Sequence, residues 1–156
     1  PDGFGARWRF EVAGQRRGGG NLEVYAMPPE TKEQPGVPKG RVLAQPPHTS
    51  QVFDGAVHEW WVYVPAQYDP SKPACLMVVQ DGQGAKNYWP TALDNLIAKK
   101  DIPVTVAIFV KPGTLRRDAD NRSVEYDSLN DSYAKMLIDE ILPEVGQMYK
   151  LATEPE

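Results

Sequence analysis

The segment Gln80-Asp81-Gly82-Gln83-Gly84 holds the most chemistry in the sequence, because it directly follows the apolar run 74–79 (ACLMVV). A glycine-containing turn at the end of a strand can aim backbone N–H groups into a site, and such donors stabilise the charge that develops in acyl transfer. The plain alternative is that Asp81-Gly82 is only a tight turn, and composition by itself favours it. A dinucleotide cradle is disfavoured. Gly82 and Gly84 match the first two glycines of G-x-G-x-x-G, but Asn87 stands at the third, and no Lys-Ser/Thr follows as a P-loop requires.

A second polar stretch, 111–130, follows another apolar run, 104–110 (VTVAIFV). It carries Arg116, Arg117, Asp118, Asp120, Arg122, Glu125 and Asp127, which can pair with one another to order a loop or can face a polar substrate. As exposed pairs they are worth about 0–1 kcal/mol each. Tyr88 and Trp89, just after the glycine turn, either line a pocket or staple the helix that follows. Trp60, Trp61 and Tyr63 fit core and sheet-face packing. His48 and His58 are the only histidines and Cys75 the only cysteine, and no two of them have close ligand spacing, so no metal site is expected. His58 alternates with Trp60 and reads as structural, and Cys75 reads as a core residue. Asn121-Arg122-Ser123 and Asn130-Asp131-Ser132 match the glycosylation pattern, which means little without a secretory context.

The elements that position these residues can be read from the patterning. Residues 57–64 (VHEWWVYV) are rich in β-branched and aromatic residues and predict a strand closed by Pro65. The runs 74–79 and 104–110 predict strands buried on both faces, as in a parallel sheet. Between them Leu93, Leu96 and Ile97 give one apolar helical face, with Pro90 at its start and Asn87 near its cap. Residues 131–141 predict a helix through Leu137, Ile138 and Ile141, with a break or kink at Pro143 and a short helical restart over 143–149. The order β, β, α, β, α predicts an α/β sheet with right-handed crossovers.

Before this domain lie two short strand-like runs, 7–12 and 22–27, the Gly-rich break 14–20, and a stretch 28–47 with six prolines that reads as a linker over a domain surface. Residues 41–44 within it are a further strand candidate. We expect residues 1–35 to be a tail or the end of a preceding domain with its linker, and 36–156 to be the α/β domain. Both ends of the sequence, Pro1 and Thr153-Glu154-Pro155-Glu156, read as cuts in a longer protein.

The whole chain of 156 residues has 17 Lys+Arg against 21 Asp+Glu, a net charge of −4 that offers no basic face for nucleic acid. No apolar run reaches the roughly 18 residues of a membrane span. One cysteine allows no internal disulfide.

Longer strings add a resemblance. Residues 61–69 (WVYVPAQYD) with 73–82 (PACLMVVQDG), then 121–127 (NRSVEYD) and 137–145 (LIDEILPEV), resemble in order the esterase family of α/β-hydrolases that groups enterochelin-esterase-like and feruloyl-esterase-like enzymes. The match covers roughly residues 36–151. It implies part of an α/β-hydrolase sheet with flanking helices, a serine hydrolase acting on small-molecule or carbohydrate-linked esters without a cofactor, and a location in the periplasm or outside the cell. The family's nucleophile stands in G-x-S-x-G, with the acid and histidine later in the chain. None of Ser50, Ser71, Ser123, Ser128 and Ser132 has the flanking glycines. The resemblance therefore implies that the nucleophile, acid and histidine lie beyond Glu156, that this chain is inactive alone, and that Asp81, Gly82 and Gln83 form the oxyanion loop. Arg122 and Glu125 would then brace that loop or touch substrate. The rival is a non-catalytic carbohydrate-binding or interaction module built on the aromatic strand. A β-sandwich would show alternation throughout, whereas 74–110 shows buried runs around a helix.

Overall fold

The structure, a computed structural model, describes residues 6–8, 22–24, 28–115 and 121–153. Its strands are β1 (Ala6–Trp8), β2 (Leu22–Val24), β3 (Arg41–Ala44), β4 (His48–Thr49), β5 (Val57–His58), β6 (Trp60–Val64), β7 (Cys75–Val79) and β8 (Thr105–Val110). The helices are α1 (Gly82–Ala85), α2 (Trp89–Lys99), α3 (Arg122–Tyr126), α4 (Ser132–Lys135) and α5 (Leu142–Met148), with a π-helical segment Met136–Ile141 between the last two.

Four strands form the central sheet in the order β3-β6-β8-β7. β3 and β8 pair antiparallel with β6, and β7 pairs parallel with β8 through the crossover that contains α2. The two-residue period of a strand explains why β8 reads as an unbroken apolar run. Val106, Ile108 and Val110 face one cluster with Trp60, Val62, Met136, Ile141 and Val145. Ala107 and Phe109 face the other with Tyr63, Leu93 and Ile97. Helices cover both faces, so all six residues of β8 are buried. This mixed sheet with its parallel crossover is not a β-sandwich.

Three local expectations are corrected. The single strand expected over 57–64 is two: β5 pairs with β4 in a separate small sheet, and β6 joins the central one, with Glu59 as the junction. β7, expected to be buried on both faces, is the sheet edge among the described residues. Val78 is 37% exposed and only Val79 is buried. Among the described residues its outer side meets the bridge Ala74–Leu151, which runs parallel. Pro143 does not break the helix but changes its pitch. The Leu142 N–H reaches back five residues to the Leu137 carbonyl, so the turn before Pro143 is π-helical, and the helical restart expected over 143–149 is α5.

Of the two strand-like runs, the described residues form an antiparallel pair, β1 with β2, and 9–12, 25–27 and the Gly-rich break 14–20 lie outside the described residues. The Pro-rich stretch is docked rather than free. Asn95 on α2 donates to the carbonyls of Glu30 and Lys32 at 2.6 and 2.9 Å, and Lys99 reaches Glu30 at 2.7 Å. Asn87 does not cap α2, because Tyr88 occupies the N-cap position and Pro90 lies in the first turn.

The β4–β5 hairpin is clasped to the π-helical segment by Glu140. One carboxylate oxygen accepts the N–H groups of Gln51 and Val52 at 2.9 Å each, and the other lies 2.9 Å from His48 Nε2. Burial pushes the carboxyl up, but the donors from His48, Ser50, Val52 and Gln51 outweigh it and hold the group below its ordinary 4.5. The folded value lies below the unfolded one, so the clasp stabilises fully above pH 4.5 and fades as pH falls through the folded value. Glu140→Gln is expected to cost about 1.5–3 kcal/mol at pH 7, the scale of hydrogen bonds to a charged group. The deficit should narrow below pH 4.5, as read by urea unfolding at both pH values. A deficit that does not change with pH would contradict the clasp.

Candidate functional site

The glycine turn lies at the carboxyl end of β7, beside the carboxyl end of its parallel neighbour β8, where open α/β sheets place their sites. Asp81 adopts a left-handed conformation (φ 52°, ψ 40°), uncommon for a residue with a side chain. It swings the chain from strand into α1. Gly82 is buried so closely under the turn that a Cβ there would lie 2.4 Å from the Phe109 carbonyl carbon and 2.5 Å from the Val110 nitrogen. Glycine is therefore required by the approach to β8, not by its φ. The first N–H groups of a helix have no intrahelical acceptor. In α1 the Asp81 carbonyl is taken by Gly84 and Ala85. The N–H groups of Gly82 and Gln83 begin the turn, and Gln83 is exposed.

Helix α3 holds the turn from the side. Arg122 Nε and Nη2 donate to the two carboxylate oxygens of Asp81, both at 2.9 Å, in a bidentate fork. The hydrogen bonds from Arg122 hold the Asp81 carboxyl below its ordinary range, against the opposing effect of burial. One turn along α3, the Tyr126 hydroxyl accepts the Asp81 N–H at 3.2 Å. The guanidinium stacks 5.0 Å from the Tyr126 ring centre. Tyr126 in turn meets Tyr133 of α4 edge-on, at 5.1 Å between ring centres.

The opposite face of α3 is locked into the interior. Glu125 Oε1 accepts from the Gly113 N–H at 2.9 Å, Asn121 Nδ2 at 3.0 Å and His58 Nε2 at 3.1 Å, with the Glu125 and His58 side chains fully buried. A carboxylate only accepts, so Nε2 is the donating nitrogen of His58. Asn121 N–H also donates to the Gly113 carbonyl at 3.0 Å, which closes the base of the loop between them.

The expected residues thus separate. Asp81, Gly82, Gln83 and Arg122 come together. Arg122 and Glu125 do not pair with each other: one faces the turn and the other the core. The Glu125 side chain is buried in the interior rather than directed at the turn. Trp89 packs against the cluster of Phe109 and Leu93, whereas Tyr88 is 54% exposed beside the turn. Asn121, in one glycosylation pattern, is buried and engaged by Glu125, while Asn130 is exposed. Arg116, Arg117, Asp118 and Asp120 lie outside the described residues. Sequence reasoning missed Tyr126, Gly113 and Asn121 because it took 111–130 as one loop. The spacing of Arg122 and Tyr126, four apart, is the helical signal it contained. Among the described residues no helix is long and apolar enough to cross a membrane.

No protein-family model and no curated protein matches the sequence. Solved structures do match. The CE1 ferulic acid esterase from the anaerobic fungus Anaeromyces mucronatus superposes with a TM-score of 0.60 at 16% identity, over 81% of this chain and 50% of that one. The feruloyl esterase module from Clostridium thermocellum gives 0.56 at 18% identity, over 83% and 42%. The enterobactin esterase FES from Shigella flexneri gives 0.57 at 15%, over 85% and 32%. The chain spans half the length of these proteins or less. The mixed sheet with flanking helices thus has the α/β-hydrolase fold of these neighbours, over part of their length.

Proposed function

We propose that this chain is the part of a serine carboxylic-ester hydrolase that carries the oxyanion loop, and that the nucleophile, acid and histidine belong to sequence beyond Glu156. The observation that carries the reading is the clamped turn at Asp81. A left-handed residue held by a bidentate arginine and a tyrosine hydroxyl fixes the first N–H groups of α1 at the carboxyl end of a parallel strand. Electrostatic preorganisation of this kind stabilises the oxyanion of an acyl-transfer intermediate without reorganisation during the reaction.

In that reaction a serine Oγ bonds to the ester carbonyl carbon while a histidine takes its proton. The carbonyl oxygen gains negative charge, which the Gln83 N–H and a second N–H after the serine receive. Collapse of the intermediate expels the alcohol, protonated by the same histidine, and water then releases the acid by the same steps. Tyr88, exposed just after α1, is the residue of this segment assigned to contact substrate in this reading. Support comes from the fold shared with esterases twice or more as long as the matched segment, together with the lack of G-x-S-x-G in this sequence.

The test is hydrolysis of p-nitrophenyl acetate. The chain alone is expected to give no rate above buffer. The chain extended by the reading frame after Glu156 should turn the ester over and lose the activity to a serine-directed fluorophosphonate. Inhibitor-sensitive turnover by the chain alone would refute the placement of the triad. A folded extended protein that neither hydrolyses esters nor reacts with the inhibitor would refute the esterase reading.

A further inference from the structure

Helix α3 has two ends of a mechanical connection on its opposite faces. Arg122 and Tyr126 hold the Asp81 turn, while Glu125, between them in sequence, is seated on His58 of β5, on Gly113 after β8 and on Asn121. A five-residue helix has little stability of its own, since isolated helices much longer than this are marginal in water. Its position must come from what anchors it. The face toward the turn supplies the Arg122–Asp81 ion pair, weak by itself with both side chains nearly half exposed, together with the Asp81 N–H bond to Tyr126 and the edge-on contact of Tyr126 with Tyr133. The buried face supplies three donors on one carboxylate oxygen, in a site so tight that a Cβ on Gly113 would come within 2.9 Å of both Ala56 and His58.

We infer that His58 and Glu125 are positioning residues for the oxyanion turn, acting through α3 and Arg122 on the N–H groups of Gly82 and Gln83. The inference rests on the esterase reading for its catalytic consequence but not for its structural one. His58 and Glu125 touch neither the turn nor the solvent beside it. Their effect is to set the height of α3 against β5 and the end of β8, and hence where the arginine fork holds Asp81. Gly82 is wedged against the same end of β8, so both supports of the turn refer to one rigid strand. A displacement of α3 would tilt the turn rather than translate the whole site.

The experiment is a mutant cycle between Glu125→Gln and the pair Arg122→Gln with Tyr126→Phe, read first in the 156-residue chain by the amide NMR resonances of Gly82 and Gln83. Glu125→Gln is expected to move those two amides while leaving Val106 and Ile108 of β8 in place. In the background that lacks both contacts of α3 with the turn it should add little further change, because the connection is then cut. Additive shifts, or none at Gly82 and Gln83, would overturn the inference. In the extended, active protein Glu125→Gln should lower kcat by about 10–100-fold with KM little changed, the scale of a displaced catalytic geometry. If the extended wild type hydrolyses no ester, the esterase reading fails while the NMR cycle still decides the positioning. If it does hydrolyse esters and Glu125→Gln matches it, this inference fails alone. Should Glu125→Gln not fold, His58→Gln carries the same cycle, since its amide can still donate to Glu125. Failure of both to fold would make the cluster merely structural and overturn the proposal.

Discussion

Replacing Gly82 with alanine is expected to destabilise the chain by about 3 kcal/mol or more, at or above the upper end of overpacking costs. The added methyl would meet the Phe109 carbonyl carbon at 2.4 Å and the Val110 nitrogen at 2.5 Å. These are backbone atoms, not the end of a flexible side chain. They belong to β8, which is paired on both edges, with Phe109 opposite Trp61 on one side and Val79 on the other. The strand cannot yield without breaking both ladders, so the turn must lift instead. Lifting it strains Asp81 in its left-handed conformation and pulls on the fork from Arg122. For a chain of this length the loss corresponds to a fall in Tm of roughly 6–12 °C. Gly84 is the control two residues on. A Cβ there meets nothing within 4 Å, so Gly84→Ala should stay within about 0.5 kcal/mol of wild type, as exposed substitutions do. Urea and thermal unfolding of the two variants separate close approach from a general loss of glycine flexibility. If Gly82→Ala unfolds like wild type, the turn does not rest on β8, and the geometry assigned to its N–H groups is wrong.

The sheet was largely legible in the sequence because its strands are buried on two faces. Residues 106–110 and Trp60–Val64 are continuous apolar and aromatic runs because helices cover both sides of the sheet, and α2 shows its face through Leu93 and Ile97. What local pattern could not show was which strand lies at an edge. Cys75–Val79 is as apolar as β8, yet its exposure depends on what pairs beyond it, a property of topology rather than of the run. The split at Glu59 was hidden likewise. Val57 and His58 alternate in phase with Trp60, but they pair with a different strand. In the site, Asp81 and Gly82 were visible as a turn after a strand, and the longer strings placed Arg122 beside it. The clamp itself joins positions 41 residues apart, and no spacing rule covers that. Glu125 is the clearest limit. A carboxylate in a charged stretch reads as solvated, and its burial follows from three donors contributed by separate segments.

Removal of that carboxylate is the second large effect. Glu125→Ala is expected to cost about 3–5 kcal/mol, the range for breaking a buried pair by deleting one partner. The cost arises from what remains. The Gly113 N–H, the Asn121 amide and the His58 Nε2–H, all directed at Oε1, lose their acceptor in a site that excludes water. Each buried donor left unmade costs about 1–3 kcal/mol, partly relieved as the loop base between Gly113 and Asn121 relaxes into the space vacated. Glu125→Gln keeps an acceptor at Oε1 and should lose markedly less, although its amide nitrogen is buried in turn. Arg122→Ala, by contrast, removes an ion pair whose side chains are 48% and 44% exposed, and should change global stability by no more than about 1 kcal/mol. The order Glu125→Ala, then Glu125→Gln, then Arg122→Ala in urea midpoints distinguishes an anchored helix from one held mainly by its surface pair. A larger loss from Arg122→Ala than from Glu125→Ala would reverse that assignment, and the support of the turn would then have to be sought on its exposed side.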